Sequence, residues 1–255
     1  MSVLWTLALT GFRESRRNRV TVVVGLFAFV MIFSATFALE LTVTTFQRVM
    51  NDIGLGMMSL IAVFLAIFLS SGLLPREIER RTIFLIVSKP ISRSAFLVGR
   101  LFGNLITVFF VVLIMSLLFC LQIAVQGGVP GPAVLTAIAG LMLEVVLLSC
   151  IGFAFASWSN QFTAAVATVG LYFTGHLASD LYRRAMQAKV EAFKVIGLSL
   201  YYLLPNLDRL DYRARATYEV ATPIGELLSS TVYTLGYSAV IVAIACLLFE
   251  RRDFR

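Results

Sequence analysis

The chain has 255 residues, of which 59% are hydrophobic and 14% charged, and its formal net charge is +7. A soluble domain carries about 25% charged residues, so this composition excludes a water-soluble globular fold. Three cysteines, all inside apolar runs, and a single histidine exclude a disulfide framework and a structural zinc site.

Residues 2–18 predict an amphipathic helix lying in the membrane interface. Trp5, Ala8, Leu9 and Phe12 recur at helical spacing, opposite Ser2, Thr6, Thr10, Arg13 and Arg17. The apolar stretch ahead of Arg13 is too short for a cleavable signal, and its charges follow it. The first span is therefore expected to be its own insertion signal.

Six runs are long enough to cross a bilayer core, which takes roughly 20 apolar helical residues. They are Val20 to Leu39, Ile53 to Leu74, Leu101 to Gln126, Ala133 to Asn160, Phe162 to Ser179 and Leu227 to Phe249. Only Glu144, in the fourth, is charged. None alternates polar with apolar, as a barrel strand would, and a lone segment in lipid must satisfy its own backbone. The expected fold class is all-α: a polytopic membrane protein of six transmembrane helices. The whole of 1–255 reads as one transmembrane domain, with an interfacial helix at 1–19, a charged segment at 75–100 and a long loop at 180–226.

With the N-terminus in the cytoplasm, segments 1–19, 75–100, 158–161 and 250–255 hold 13 of the 21 Lys and Arg residues. Among the short loops on the other side only Arg48 is basic; the remaining seven lie in 180–226. The positive-inside rule places both termini inside. The basic excess is then a topology signal with an affinity for anionic lipid headgroups. Nothing resembles a nucleic-acid surface, because no basic stripe is interleaved with exposed aromatics.

The segment 75–100 predicts a short helix opening at Pro75, with Glu77 and Glu79 in its first turn and Arg80 and Arg81 after them. Pro90 ends it near Ser88, and Ser92 can cap the third span. Five consecutive apolar residues, Ile83 to Val87, need burial against either the membrane interface or a soluble partner.

Thr82-Ile-Phe-Leu-Ile-Val-Ser-Lys-Pro-Ile-Ser-Arg, followed by Phe96-Leu-Val-Gly-Arg100, resembles a motif of ABC-2 type ABC-transporter permeases. That motif runs Glu-x-x-Gly-Thr-Leu-Glu-Leu-Leu-Leu-Ser-Arg-Pro-Val-Ser-Arg, then Phe-Leu-Leu-Gly-Lys. Thr82, Leu85, Ser88, Pro90, Ser92, Arg93, Phe96 and Gly99 match it and Glu79 lies one residue after its opening Glu, whereas Arg81 and Phe84 stand where it has Gly and Glu. The basic run Phe12 to Arg19, the pair Gly175-His176 and the stretch Leu203 to Arg209 are similar more loosely. Within the family the chain looks most like the subgroup linked to multicopper-enzyme maturation. The resemblance implies an integral protein of a bacterial cytoplasmic (inner) membrane and a cytoplasmic coupling helix. Glu77, Glu79, Arg80, Arg81, Thr82 and Phe84 would meet an ABC ATPase subunit. It also implies a second permease subunit, either another copy or a homologue.

No Gly-x-x-x-x-Gly-Lys-Ser/Thr occurs, and the three lysines, Lys89, Lys189 and Lys194, follow no glycine loop. The chain is expected to bind no cofactor and not to be an enzyme, with ATP held by the partner. Glu144 is a candidate for the transport path, since a carboxylate in a span is costly unless partnered; a bond to a neighbouring helix is the plainer alternative. His176 reads either as a pH-sensitive group near the outer end of the fifth span or as a helix-to-helix hydrogen bond. Tyr201 and Tyr202, at the end of the apolar stretch Val195 to Leu204, are candidates for an outer gate, or for a packed cap at the interface. Two other functions stay open: a proton-coupled secondary transporter using Glu144, and an intramembrane enzyme. The second would need clustered catalytic groups, and one His with one deep Glu is a poor set.

Overall fold

The computed structural model describes residues 20–38, 43–79, 93–188 and 190–250. The interfacial helix expected in the first 19 residues lies outside them, as do residues 80–92 of the charged segment. The described residues form helices α1 (Val20–Ala38), α2 (Val43–Glu79), α3 (Arg93–Val125), α4 (Pro132–Trp158), α5 (Gln161–His176), α6 (Ala178–Gln187), α7 (Glu191–Leu203), α8 (Arg213–Thr217) and α9 (Ile224–Glu250), with a 3-10 turn at Asp208–Leu210. No strand occurs among them.

Four of these helices are long and apolar enough to cross a membrane: α2 over Gln47–Pro75, α3 over Ser94–Val125, α4, and α9 over Ile224–Phe249. The other two predicted spans correspond to α1, of 19 residues, and α5, of 16.

Helix α4 is the centre of the bundle and packs on α2, α9, α5 and α3. Its start and end are written locally. Pro132 opens its first turn, where the missing N–H costs nothing. Between α4 and α5, Asn160 accepts the Thr163 N–H at 2.8 Å, an N-cap that turns the chain back within two residues. The α3–α4 turn needs the left-handed conformation of Gly127, at φ 79°.

Several hydroxyls buried within the helices return to their own backbone. Ser70 donates to Ala66 O at 2.6 Å, Ser116 to Val112 O at 2.7 Å and Thr168 to Ala164 O at 2.7 Å. That pattern suits a medium without water.

One boundary differs from expectation. Pro75 does not open a new helix but lies inside α2, which continues to Glu79. Proline removes the N–H that would bond Ser71 O, but it stands one turn from the helix end, where the long stretch before it carries one missing bond. Glu77 and Glu79 therefore sit in the last turn of α2, not in the first turn of a separate helix.

The long loop is itself helical. Helices α6 and α7 form a hairpin in which Gly197 lets α7 close on Ala185. Phe193, Val195, Ile196, Tyr202 and Leu203 on α7 are exposed. Pro205 follows α7, and residues 205–217 then fold back onto α4, α5 and α2 as a cap.

Candidate functional site

The cap enters the bundle through two glycine notches. A side chain at Gly140 on α4 would collide with Leu210 O and the Tyr212 ring, and one at Gly175 on α5 would meet Leu207 and Pro205 O at 2.8 Å. Leu207 N–H donates to Gly175 O at 3.1 Å, and Asn51 of α2 donates to Ala216 O at 3.4 Å. From α9, Ser230 meets the Tyr212 hydroxyl at 2.8 Å and the Tyr233 hydroxyl accepts Asn206 N–H at 2.8 Å. Leu207, Leu210, Tyr212 and Ala216 are all buried. The cap is thus keyed to every helix around it.

Beneath the cap lies a polar cluster. Glu144, one turn beyond Gly140 on α4, is only 2% exposed. Its Oε1 lies 3.4 Å from His176 Nε2 on α5. His176 Nδ1 sits 3.1 Å from the Tyr172 carbonyl oxygen, and the two rings pack with centroids 4.5 Å apart. From the cap, Arg213 binds Asp211 through both nitrogens, at 2.8 and 2.6 Å. Arg213 and Asp211 also act electrostatically on Tyr172 and on Glu144. Burial alone would raise the Asp211 carboxyl, but its bonds from Arg213 hold it below the usual carboxylate range. The same bonds raise Arg213, which stays a cation.

Chemically, this is a buried carboxylate, an imidazole and a phenol closed over by an arginine–aspartate pair. It can bind a proton or present polar groups to a passing solute. It lacks the material of a metal centre: no group of three or more His, Cys, Asp or Glu that could hold an ion occurs among the described residues.

The other sequence candidates do not join it. Tyr201 packs on Tyr182 at 4.9 Å and lies 3.5 Å from Asn206 Nδ2, while Tyr202 is 75% exposed on α7. Glu77 and Glu79 stand in the last turn of α2, at the end of the bundle away from the cap. Arg80, Arg81, Thr82 and Phe84 lie outside the described residues. Sequence reading missed Tyr172, Asp211 and Arg213. Tyr172 is detectable in principle, being one turn before His176 on the same face; the cap residues carry no local signal.

Further buried polar atoms lie on three of the long helices. Ser149 on α4, Ser71 on α2 and both amide atoms of Asn104 on α3 are buried without a hydrogen-bond partner among the described residues.

A search of curated proteins finds no match. The model of the family described as ABC-2 family transporter protein matches residues 5–254. That match takes in the helical bundle, the cap and the charged segment alike, and the apolar helices are those of a membrane protein. The chain belongs to the ABC-2 family of transporter membrane proteins.

Proposed function

We propose that this chain is the permease subunit of an ABC transporter, with six spans and both termini in the cytoplasm of a bacterial inner membrane. A separate ATPase docks on the segment 75–100, through Glu77, Glu79, Arg80, Arg81, Thr82 and Phe84. Two permease subunits, identical or homologous, form the path. The cap then faces outward, and lifting it from α4 and α5 is the outer gating step, with Tyr201 and Tyr202 at the membrane surface beside it.

The observation that carries this reading is a transporter-family chain with no phosphate-binding loop in its 255 residues: the energy source must be elsewhere. Buried polar atoms without partners on α4, α2 and α3 support a polar path between these helices. Ser149, Ser71 and Asn104 would each be costly in a dry interior, and a hydrated or solute-lined seam supplies what they lack.

The test is purification with and without a co-expressed ABC ATPase subunit. The chain alone should hydrolyse no ATP, and hydrolysis should appear with a co-purified ATPase. Robust hydrolysis by the isolated chain would overturn the assignment. The Glu144–His176 contact gives some support to the second reading, a proton-coupled secondary transporter. That reading requires uptake in vesicles driven by a proton gradient with no ATP and no ATPase.

A further inference from the structure

The surroundings of His176 fix where its hydrogens are. Nδ1 lies 3.1 Å from the Tyr172 carbonyl oxygen. A carbonyl oxygen only accepts, so Nδ1 carries a hydrogen and donates it. Nε2 is then either a bare acceptor or the second N–H of a cationic ring. It faces Glu144 Oε1 at 3.4 Å, and neither atom has a hydrogen-bond partner elsewhere among the described residues. If both were bare, two lone pairs would oppose each other in a closed site, an arrangement that low local polarity makes costly. A single proton between them removes the conflict. Either protonated Glu144 donates to Nε2, or cationic His176 donates to the carboxylate.

Other groups around the pair do not replace that proton. From the cap, Arg213 and Asp211 satisfy each other. From α5, Tyr172 lends its carbonyl to Nδ1, and its side chain feels the charge of Arg213. On α2, Arg48 reaches toward the Tyr218 ring, 6.0 Å from its centroid, and Asp52 is exposed. On α9, Glu226 is taken by Arg215 at 2.7 Å, and the Tyr233 hydroxyl by Asn206. The arginines of α3, Arg93 and Arg100, belong to the opposite end of the bundle.

We propose that Glu144 and His176 form a one-proton site that holds the cap closed and releases its proton when the cap lifts. The lifting step rests on the reading of the cap as a gate; the proton itself does not. Leu207 is bonded to Gly175, next to His176, and Leu210 O and the Tyr212 ring press on Gly140, one turn from Glu144, so removing the cap lets water reach both members of the pair. In water the two groups no longer share a proton in a closed site, so in alkali the open pair holds none while the closed pair holds one. Opening there releases one proton and becomes about tenfold easier per pH unit.

His176 is the only histidine, so imidazole-labelled full-length protein in lipid nanodiscs gives nitrogen-15 signals from one ring. The expected spectrum at neutral pH has the hydrogen on Nδ1, with Nε2 hydrogen-bonded or protonated. A neutral ring with its hydrogen on Nε2 and a bare Nδ1 would overturn the site. Coupling to the cap is read by amide exchange of residues 205–217, as the ratio of wild type to Glu144→Gln at each pH, which cancels the intrinsic pH dependence of exchange. The Gln amide donates to Nε2 without titrating, so that variant keeps its cap closed in alkali. The ratio should rise about tenfold from pH 7 to pH 8; a flat ratio overturns the coupling. Should the variant not insert, the wild type's own residues 178–187 serve as the reference, with the same two outcomes. Failure to recruit an ATPase would change neither measurement, so the two proposals fail separately.

Discussion

The Tyr212 ring occupies the space that a side chain at position 140 would need, with the Leu210 carbonyl oxygen pressed beside it. One of the two obstacles is backbone, which cannot swing aside as a side-chain tip can. Gly140→Ala should therefore unseat the cap, at the 1–3 kcal/mol or so typical of overpacking. Trypsin added to the cap side should then cut at Arg209, Arg213 or Arg215 at least several-fold faster. Gly170→Ala is the control, because nothing lies within 4 Å of the added group. Equal cutting of the two variants would mean that the notch does not hold the cap.

Asp211 gives the cap a separate sensitivity to acid. Its folded carboxyl is held below the ordinary range by Arg213, so it binds its proton less readily in the closed cap than in a loose one. The stabilisation is complete above the ordinary aspartate value of about 3.9 and is lost progressively as pH falls from there through the lower folded value. Hydrogen bonds to charged groups are worth about 1.5–3 kcal/mol, less where solvent screens them. Asp211→Asn should thus loosen the cap about tenfold at neutral pH and flatten the loss below pH 4. Amide exchange of 205–217 measures both. An unchanged acid profile in the variant would locate the sensitivity in another group.

What could be read in advance follows from how locally each feature is determined. The spans announce themselves because lipid demands long charge-free runs, and Glu144 stands out as the one charge within them. The cap is invisible for the opposite reason. Leu207, Leu210 and Tyr212 are buried against Gly140 and Gly175, far off in the chain, and a loop with seven basic and six acidic residues looks like any solvated surface. Its balance has a local cause, since Asp180–Arg183, Asp211–Arg213 and Arg215–Glu226 are ion pairs within the loop or at its edge. Pro75 misleads because proline is a good helix starter, yet a helix as long as α2 can carry it internally.

Orientation can be checked at two positions. Val129, in the α3–α4 turn, is 82% exposed, and Lys89 belongs to the basic segment that the positive-inside rule assigns to the cytoplasm. Val129→Cys should react with a membrane-impermeant thiol reagent added to intact cells, and Lys89→Cys only after permeabilisation. The native Cys150 is buried, and Cys120 and Cys246 are partly so, which keeps the background low. Labelling of position 89 in intact cells would invert the assignment of sides.

The ATPase contact is the sharpest consequence of the family assignment. Ile83 to Val87 place five apolar residues in a row between acidic and basic neighbours, and the segment follows α2 directly beyond Glu79. An apolar anchor rimmed by charge is the usual composition of an interface centre. Phe84, the largest of the five, is the expected anchor. Truncating a buried anchor costs about 2 kcal/mol or more, so Phe84→Ala should weaken ATPase recruitment by roughly thirtyfold while the chain still inserts. Glu79→Lys should act in the same direction but less, because rim charges are screened by salt. Val129→Ala, on the opposite side of the membrane, should recover as much ATPase as wild type. A pull-down at matched membrane levels and fixed salt compares the three. Recovery with Phe84→Ala equal to wild type would remove the coupling role from this segment, and the bundle, the cap and the Glu144–His176 pair would stand unchanged.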